Sequence, residues 1–203
     1  MRQPIKSLFS SSSLLVASSL RNVDYSVYRC GKLGRSLLST NTHTIRFESE
    51  ISGNLVSNFG SIGAYAEVQH IFDQDDVCIF GGLSGDNNPI HVDPDFAANT
   101  IFEGTIVHGI FVSSLFSTLF GRMIAGSIYV SQDLNFRRPV HVGKSVTARV
   151  EIVDVQERSK GLLITCSTKC KLDEQEGNLA IDGTARVLVP KVIAENLMKL
   201  KNA

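Results

Sequence analysis

The stretch "IFVSSLFSTLFGRMIAG", Ile110 to Gly126, decides the fold of this chain. It is apolar nearly all round, punctuated only by Ser, Thr and Gly. Ile110 to Gly121 gives 12 residues before Arg122, whereas a bilayer-spanning helix needs about 20. No membrane span follows, and the segment reads as a buried core helix. From Ser127 the apolar period changes from helical to two. "SIYVSQDLNFRRPV" alternates. "SVTARVEIVDVQ" sets Val146, Ala148, Val150 and Ile152 on one face. "LLITCSTKCKL" does the same with Leu162, Ile164, Cys166 and Cys170, and "NLAIDGTARVLV" with Leu179, Ile181, Ala185, Val187 and Val189. Turn signals, "ERSKG" and "DEQEGN", separate the last three runs, so consecutive strands are antiparallel.

Upstream, "YAEVQHIF" (65–72) reads as a strand and "DQDDVCIFGGLSG" (73–85) as a helix. Asp73 suits its N-cap, and Asp75 and Asp76 fall in the first turn, where the helix dipole favours acids. "VDPDFAANTIF" restarts a helix, with Asp93 as cap and Pro94 at the first helical position. The order is one strand, short helices, one long apolar helix and four long strands. An antiparallel sheet curved around a central helix accommodates that order, an α+β arrangement of the hot-dog type. Such a sheet leaves an exposed edge strand, which pairing with a second copy would hide, so a homodimer is expected.

Composition bounds the rest. The chain has 203 residues, 43% hydrophobic and 20% charged, enough for one packed domain plus an extension. Its formal net charge of zero hides an asymmetry. Residues 1–40 hold six basic groups (Arg2, Lys6, Arg21, Arg29, Lys32, Arg35) against one acid, Asp24. The remaining body is mildly acidic, which argues against a nucleic-acid footprint. The first 40 residues are also Ser- and Leu-rich ("SLFSSSSLLVASSL"), the composition of an organelle transit peptide. A mitochondrial address is the expectation, with a chloroplast as its rival. Residues 41–63 read as a flexible lead-in, 64–190 as the domain and 191–203 as a C-terminal tail. Cys166 and Cys170 lie four residues apart on one strand, roughly 13 Å between Cα atoms. That separation excludes a mutual disulfide and joint chelation of a metal.

Chemistry concentrates in "LSGDNNPIH", Leu83 to His91. Asp-Asn-Asn-Pro is turn chemistry, and taken alone Asp86 reads as an Asx-turn residue and His91 as structural. Their offset around a Pro-fixed turn nevertheless lets both side chains converge. Gly109 opens the long helix. Its N–H is one of the unpaired donors of a helix N-terminus, and the missing side chain admits a ligand oxygen. That suits a carbonyl acquiring negative charge, although tight packing alone would also explain the glycine. Arg137, Arg138 and Lys144 form a basic cluster after a strand. It suits phosphates or an acidic carrier surface, or else is solvated strand-end charge. His108 and His141 are read as structural.

The runs "FGGLSGDNNPIHVDPDFA", "FEGTIVHGIF" and "GSIYVSQDLNFRRPVHVGKSVTARVEI" together resemble the R-specific enoyl-CoA hydratases, the MaoC-like hot-dog hydratases and dehydratases. The resemblance extends to about Pro190, and nothing before Tyr65 takes part in it. It implies that Asp86 and His91 hold a water and move protons. It also implies that the Gly109 N–H polarises a thioester carbonyl and that Asn88 orients the loop. No metal or redox cofactor is implied, since the substrate rides on coenzyme A or on carrier-protein phosphopantetheine. With the amino-terminal composition, the implied function is 3-hydroxyacyl-thioester dehydration in mitochondrial fatty-acid synthesis. The alternatives are an enoyl-CoA hydratase of fatty-acid breakdown and a non-catalytic acyl-binding or assembly module.

Overall fold

The computed structural model describes residues 49–174 and 178–201. The transit peptide expected over residues 1–40 lies outside them. Six strands form one antiparallel sheet in the order β1-β2-β4-β5-β6-β3. They are β1 (Ile51–Gly53), β2 (Tyr65–Ile71), β3 (Ile128–Phe136), β4 (Ser145–Arg158), β5 (Gly161–Leu172) and β6 (Leu179–Pro190). Between β2 and β3 run α1 (Gln74–Ser84), α2 (Pro89–Val92), α3 (Pro94–Ala98) and α4 (Gly109–Met123), and α5 (Lys191–Lys201) ends the fold. This is the hot-dog arrangement.

The period-two faces of β4, β5 and β6 all point at α4. Val146, Ala148, Val150, Ile152, Ile164, Cys166, Cys170, Ala185, Val187 and Val189 are wholly buried. Both cysteines are free thiols whose ionisation burial pushes up to about 12, so they behave as small apolar residues. A bulge between Ile152 and Asp154 shifts the register of β4 against β5.

Several expectations are corrected. Helix α4 is not apolar all round in its setting. Val112, Leu115, Phe116, Leu119 and Phe120 face the sheet, while Ile110, Ser114, Ser117 and Gly121 are exposed. Ser113, Ser114 and Thr118 fold their hydroxyls back onto helix carbonyls at 2.6–3.2 Å, so these small polar groups are satisfied within the helix itself.

The expected lead-in is structured across its described part, 49–63. β1 pairs with β2, Asn54 clamps the connection through bonds to both backbone groups of Tyr65, and Leu55 and Phe59 enter the core. The polar and Gly/Ser residues around those two side chains masked them in the sequence.

The expected tail is a helix. α5 packs against β5 and β6, burying Ala194 and covering the outer side of Leu163. Its Ile193 reaches Gly126, where an added Cβ would lie 2.7 Å from Ile193 Cδ1.

Candidate active site

Helix α1 starts on a capping box in which the Asp73 side chain accepts from Asp76 N–H and Asp76 accepts from Asp73 N–H. It ends on Gly85 in the left-handed region (φ 81°), whose N–H donates to Gly81 O. The chain then descends a ladder of side-chain acceptors. Asp86 N–H donates to Ser84 Oγ (3.2 Å), Asn88 N–H to Asp86 Oδ1 (3.3 Å) and Ile90 N–H to Asn88 Oδ1 (3.4 Å). Asp86 therefore does make the Asx-turn its neighbours predict, and Asn88 caps α2 with Pro89 at the first helical position. His91 sits on that single helical turn rather than on an open loop.

His91 is buried and tied to a second segment. Its Nδ1 lies 2.7 Å from the carbonyl of Ile106, and a carbonyl only accepts, so Nδ1 carries the proton. In neutral His91 the bare, basic nitrogen is then Nε2. Ile106 N–H returns a bond to Ile90 O at 3.1 Å. The same segment bridges antiparallel to His141, with Val107 N–H on Val140 O and Val142 N–H on Thr105 O. The sequence reading missed Gln74. Its amide donates to His91 O at 2.9 Å and accepts from Thr105 Oγ1 at 2.9 Å, fastening α1 both to His91 and to the segment whose Ile106 holds the His91 ring.

His108, read as structural, joins the site. Its ring stacks on His91 with centroids 3.8 Å apart, and its Nε2–H donates to the Asp86 carbonyl at 2.8 Å. Nitrogen or carboxylate atoms of Asp86, His91 and His108 all lie within 4.8 Å of one another. With the rings only 30° from parallel, their planes meet well beyond the ~2 Å at which imidazole binds a divalent ion. The two rings are therefore poorly aimed to share one ion. Burial, with the neighbouring His91, holds the His108 pKa below the usual histidine value, against the raising influence of Asp86. The neutral form prevails near pH 7. No signal of spacing marks His108, because only the fold brings it to Asp86.

His91 and Gly109 line one cavity of about 400 Å³, together with Phe102, Ile110, Val112, Phe136 and Ile181. Asp86 is exposed and is not among the lining residues, but a carboxylate oxygen of it lies within 4.8 Å of a His91 ring nitrogen. Gly109 is the first residue of α4, so its N–H has no carbonyl one turn back to bond. A Cβ there would lie 2.6 Å from Phe136 Cε1. Only glycine leaves both the N–H open and the Phe136 ring in place.

The basic cluster divides. Arg137 and Arg138 line the cavity, and Arg137 also pairs with Asp182 at 3.1 Å. Lys144 is not among the lining residues. It pairs with Glu174 at 2.9 Å near the β5–β6 turn, which its place in sequence could not show.

The MaoC like domain model matches residues 41–171. The (R)-specific enoyl-CoA hydratase of Aeromonas caviae is 43% identical over 131 residues, 64% of this chain and 95% of that protein. The mitochondrial 3-hydroxyacyl-[acyl-carrier-protein] dehydratase of Solanum lycopersicum is 35% identical over 144 residues, 71% of this chain and 86% of that one. The solved structure of the A. caviae (R)-hydratase superposes with a TM-score of 0.61 at 41% identity, over 66% of this chain and 99% of its own. The capped turn carrying an acid and a histidine, the glycine at the mouth of the sheet-wrapped helix and these matches agree that the chain belongs to the MaoC-like family of hydro-lyases.

Proposed function

We propose that the protein reversibly dehydrates (R)-3-hydroxyacyl thioesters to trans-2-enoyl thioesters, with a carrier-protein thioester as its substrate in mitochondrial fatty-acid synthesis. One observation carries the chemistry. The bare Nε2 of His91 and the open N–H of Gly109 belong to residues lining the same cavity, with the Asp86 carboxylate beside His91.

In dehydration, the dyad of His91 and Asp86 takes a proton from C2. Negative charge develops on the thioester oxygen, where the Gly109 N–H and the α4 N-terminus receive it. The C3–O bond breaks as the dyad returns a proton to the hydroxyl. Water leaves, and the electron pair of the C2–H bond becomes the C2=C3 double bond. Two titrating groups in contact share this work as a pair. No change of oxidation state at a metal or redox cofactor is required by that balance. Arg137 and Arg138, at the cavity wall, suit the phosphate of phosphopantetheine or coenzyme A. The exposed edge strand β3, with Ile128 and Val130 exposed, supports pairing with a second copy.

A second reading has its own support. The coenzyme A-dependent relative is 43% identical, against 35% for the mitochondrial carrier-protein one. The transit-like composition of residues 1–40 favours the first reading. The test is loss of enoyl-thioester absorbance when the purified protein meets crotonyl-CoA, repeated with the matched carrier-protein thioester. Turnover is expected to fall at least about 100-fold in Asp86→Asn and His91→Ala. Native protein no faster than those variants on either substrate refutes the enzymatic reading. Consistently faster coenzyme A turnover refutes the carrier-protein assignment.

A further inference from the structure

His108 occupies an unusual place for its type. It is the N-cap residue of α4, where a Ser, Thr, Asp or Asn would bond the free helix N–H groups, yet its side chain caps nothing. The ring turns away from the helix. It lies between Phe80 (centroids 4.9 Å) and His91 (3.8 Å) and donates Nε2–H to the Asp86 carbonyl. Its other nitrogen, Nδ1, is buried with no hydrogen-bond partner among the described residues. Leaving a buried nitrogen unpaired is destabilising, because its bond to water is lost and not replaced. A phenylalanine would fill the same aromatic niche without that penalty, so packing alone does not account for a histidine. The Nε2–H does account for it, because a phenyl ring lacks a donor.

The bond spans two otherwise separate supports. Asp86 hangs between α1 and α2, held by Ser84 below and Asn88 above, and both of those bonds are long and exposed. At 2.8 Å, the His108 bond is the shortest tie on the Asp86 peptide, and it comes from the residue preceding Gly109. A shift of Asp86 is thus transmitted to the residue next to the oxyanion donor, and the reverse. The face of the same ring bounds His91.

We infer that His108 is a positioning residue that bolts Asp86, His91 and the Gly109 N–H into one catalytic geometry through its Nε2–H. It acts through the other three and exchanges no proton with substrate. This assignment rests on the dehydratase reading above and goes further by naming what aligns the site.

The experiment compares full-length protein with His108→Phe, which keeps the ring and loses the donor, and His108→Gln, which loses the ring and keeps an N–H. Initial rates on crotonyl-CoA and melting temperatures are measured for all three. His108→Phe is expected to lower kcat about 10- to 100-fold with KM nearly unchanged, as for a misplaced catalytic group. His108→Gln is expected to recover most of that loss, with a melting temperature no higher than that of His108→Phe. Equal losses in both variants, or loss in His108→Gln alone, would show that the aromatic face matters rather than the donor and would overturn the inference. So would native kcat in His108→Phe. If His108→Phe does not fold, His108→Gln decides alone: activity as low as Asp86→Asn overturns the inference, and activity within a few-fold of native upholds it. Native protein without turnover on both crotonyl-CoA and the carrier-protein thioester would instead defeat the dehydratase reading, which keeps the two failures apart.

Discussion

The inner face of β4–β6 and the Asp86–His91 turn are held by opposite means. The sheet face consists of wholly buried aliphatic and thiol side chains, whose positions follow from exclusion of water. Any apolar residue of similar volume would serve there, and the period-two pattern is what matters. The turn is exposed on its outer side and is held by a ladder of single hydrogen bonds from Ser84, Asp86 and Asn88. Each rung requires a short side chain with an accepting oxygen at that position. Burial concentrates stability in the first region and the proposed function places activity in the second, so substitutions should separate them.

The largest separation is expected between Phe116→Ala and Asp86→Asn. Phe116 is wholly buried on the inner face of α4, and its truncation should cost about 3–5 kcal/mol in denaturant unfolding. Asp86→Asn keeps an oxygen to accept from Asn88 N–H. It should change stability by under about 1 kcal/mol while losing most turnover. Comparable unfolding losses in the two variants would break the contrast.

Gly109→Ala should fall between them. Its new methyl group meets the Phe136 ring at 2.6–2.7 Å, but that ring is half exposed and has room to swing outward. Turnover should drop about tenfold as the N–H shifts, with little change in melting temperature. A strongly destabilised variant would show that Gly109 belongs with the core and not with the site. The smallest effect belongs to Lys144→Ala. Lys144 and Glu174 are both solvent-exposed, and their pair should be worth no more than about 0.5 kcal/mol. KM for carrier-protein substrate should stay unchanged, since Lys144 lies away from the cavity wall. A raised KM would return Lys144 to the substrate path.

The two regions also differed in how well they could be read. The faces of β4, β5 and β6 were legible because alternation in the chain is alternation in space, except at Leu179, which is half-buried beside a register shift while Ala180 is buried instead. Asp73 and Asp93 as caps and Gly85 as a helix end were equally plain, since capping is local chemistry. Leu55, Phe59 and Ala194 were not legible. Each is an apolar residue in a polar neighbourhood, and its burial depends on partners far along the chain. Arg138 and Lys144 looked like one cluster at a spacing of six, yet one lines the cavity and the other turns to Glu174. His108 was the costliest omission. Nothing within reach in sequence marks a histidine whose partner is the carbonyl of Asp86.

By itself, the sequence determined the antiparallel strands and the long helix they enclose, because periodicity, capping and turn chemistry act over a few residues; Asp86, His91 and Gly109 stood out through the family resemblance of the runs that carry them. Only the tertiary structure decided which nitrogen of His91 is bare, that Gln74 and His108 brace the dyad, that β1 and α5 close the sheet, and that His91 and Gly109 share one cavity. Those features are contacts between segments distant in sequence, and their geometry exists only once burial of the core has fixed where the segments lie.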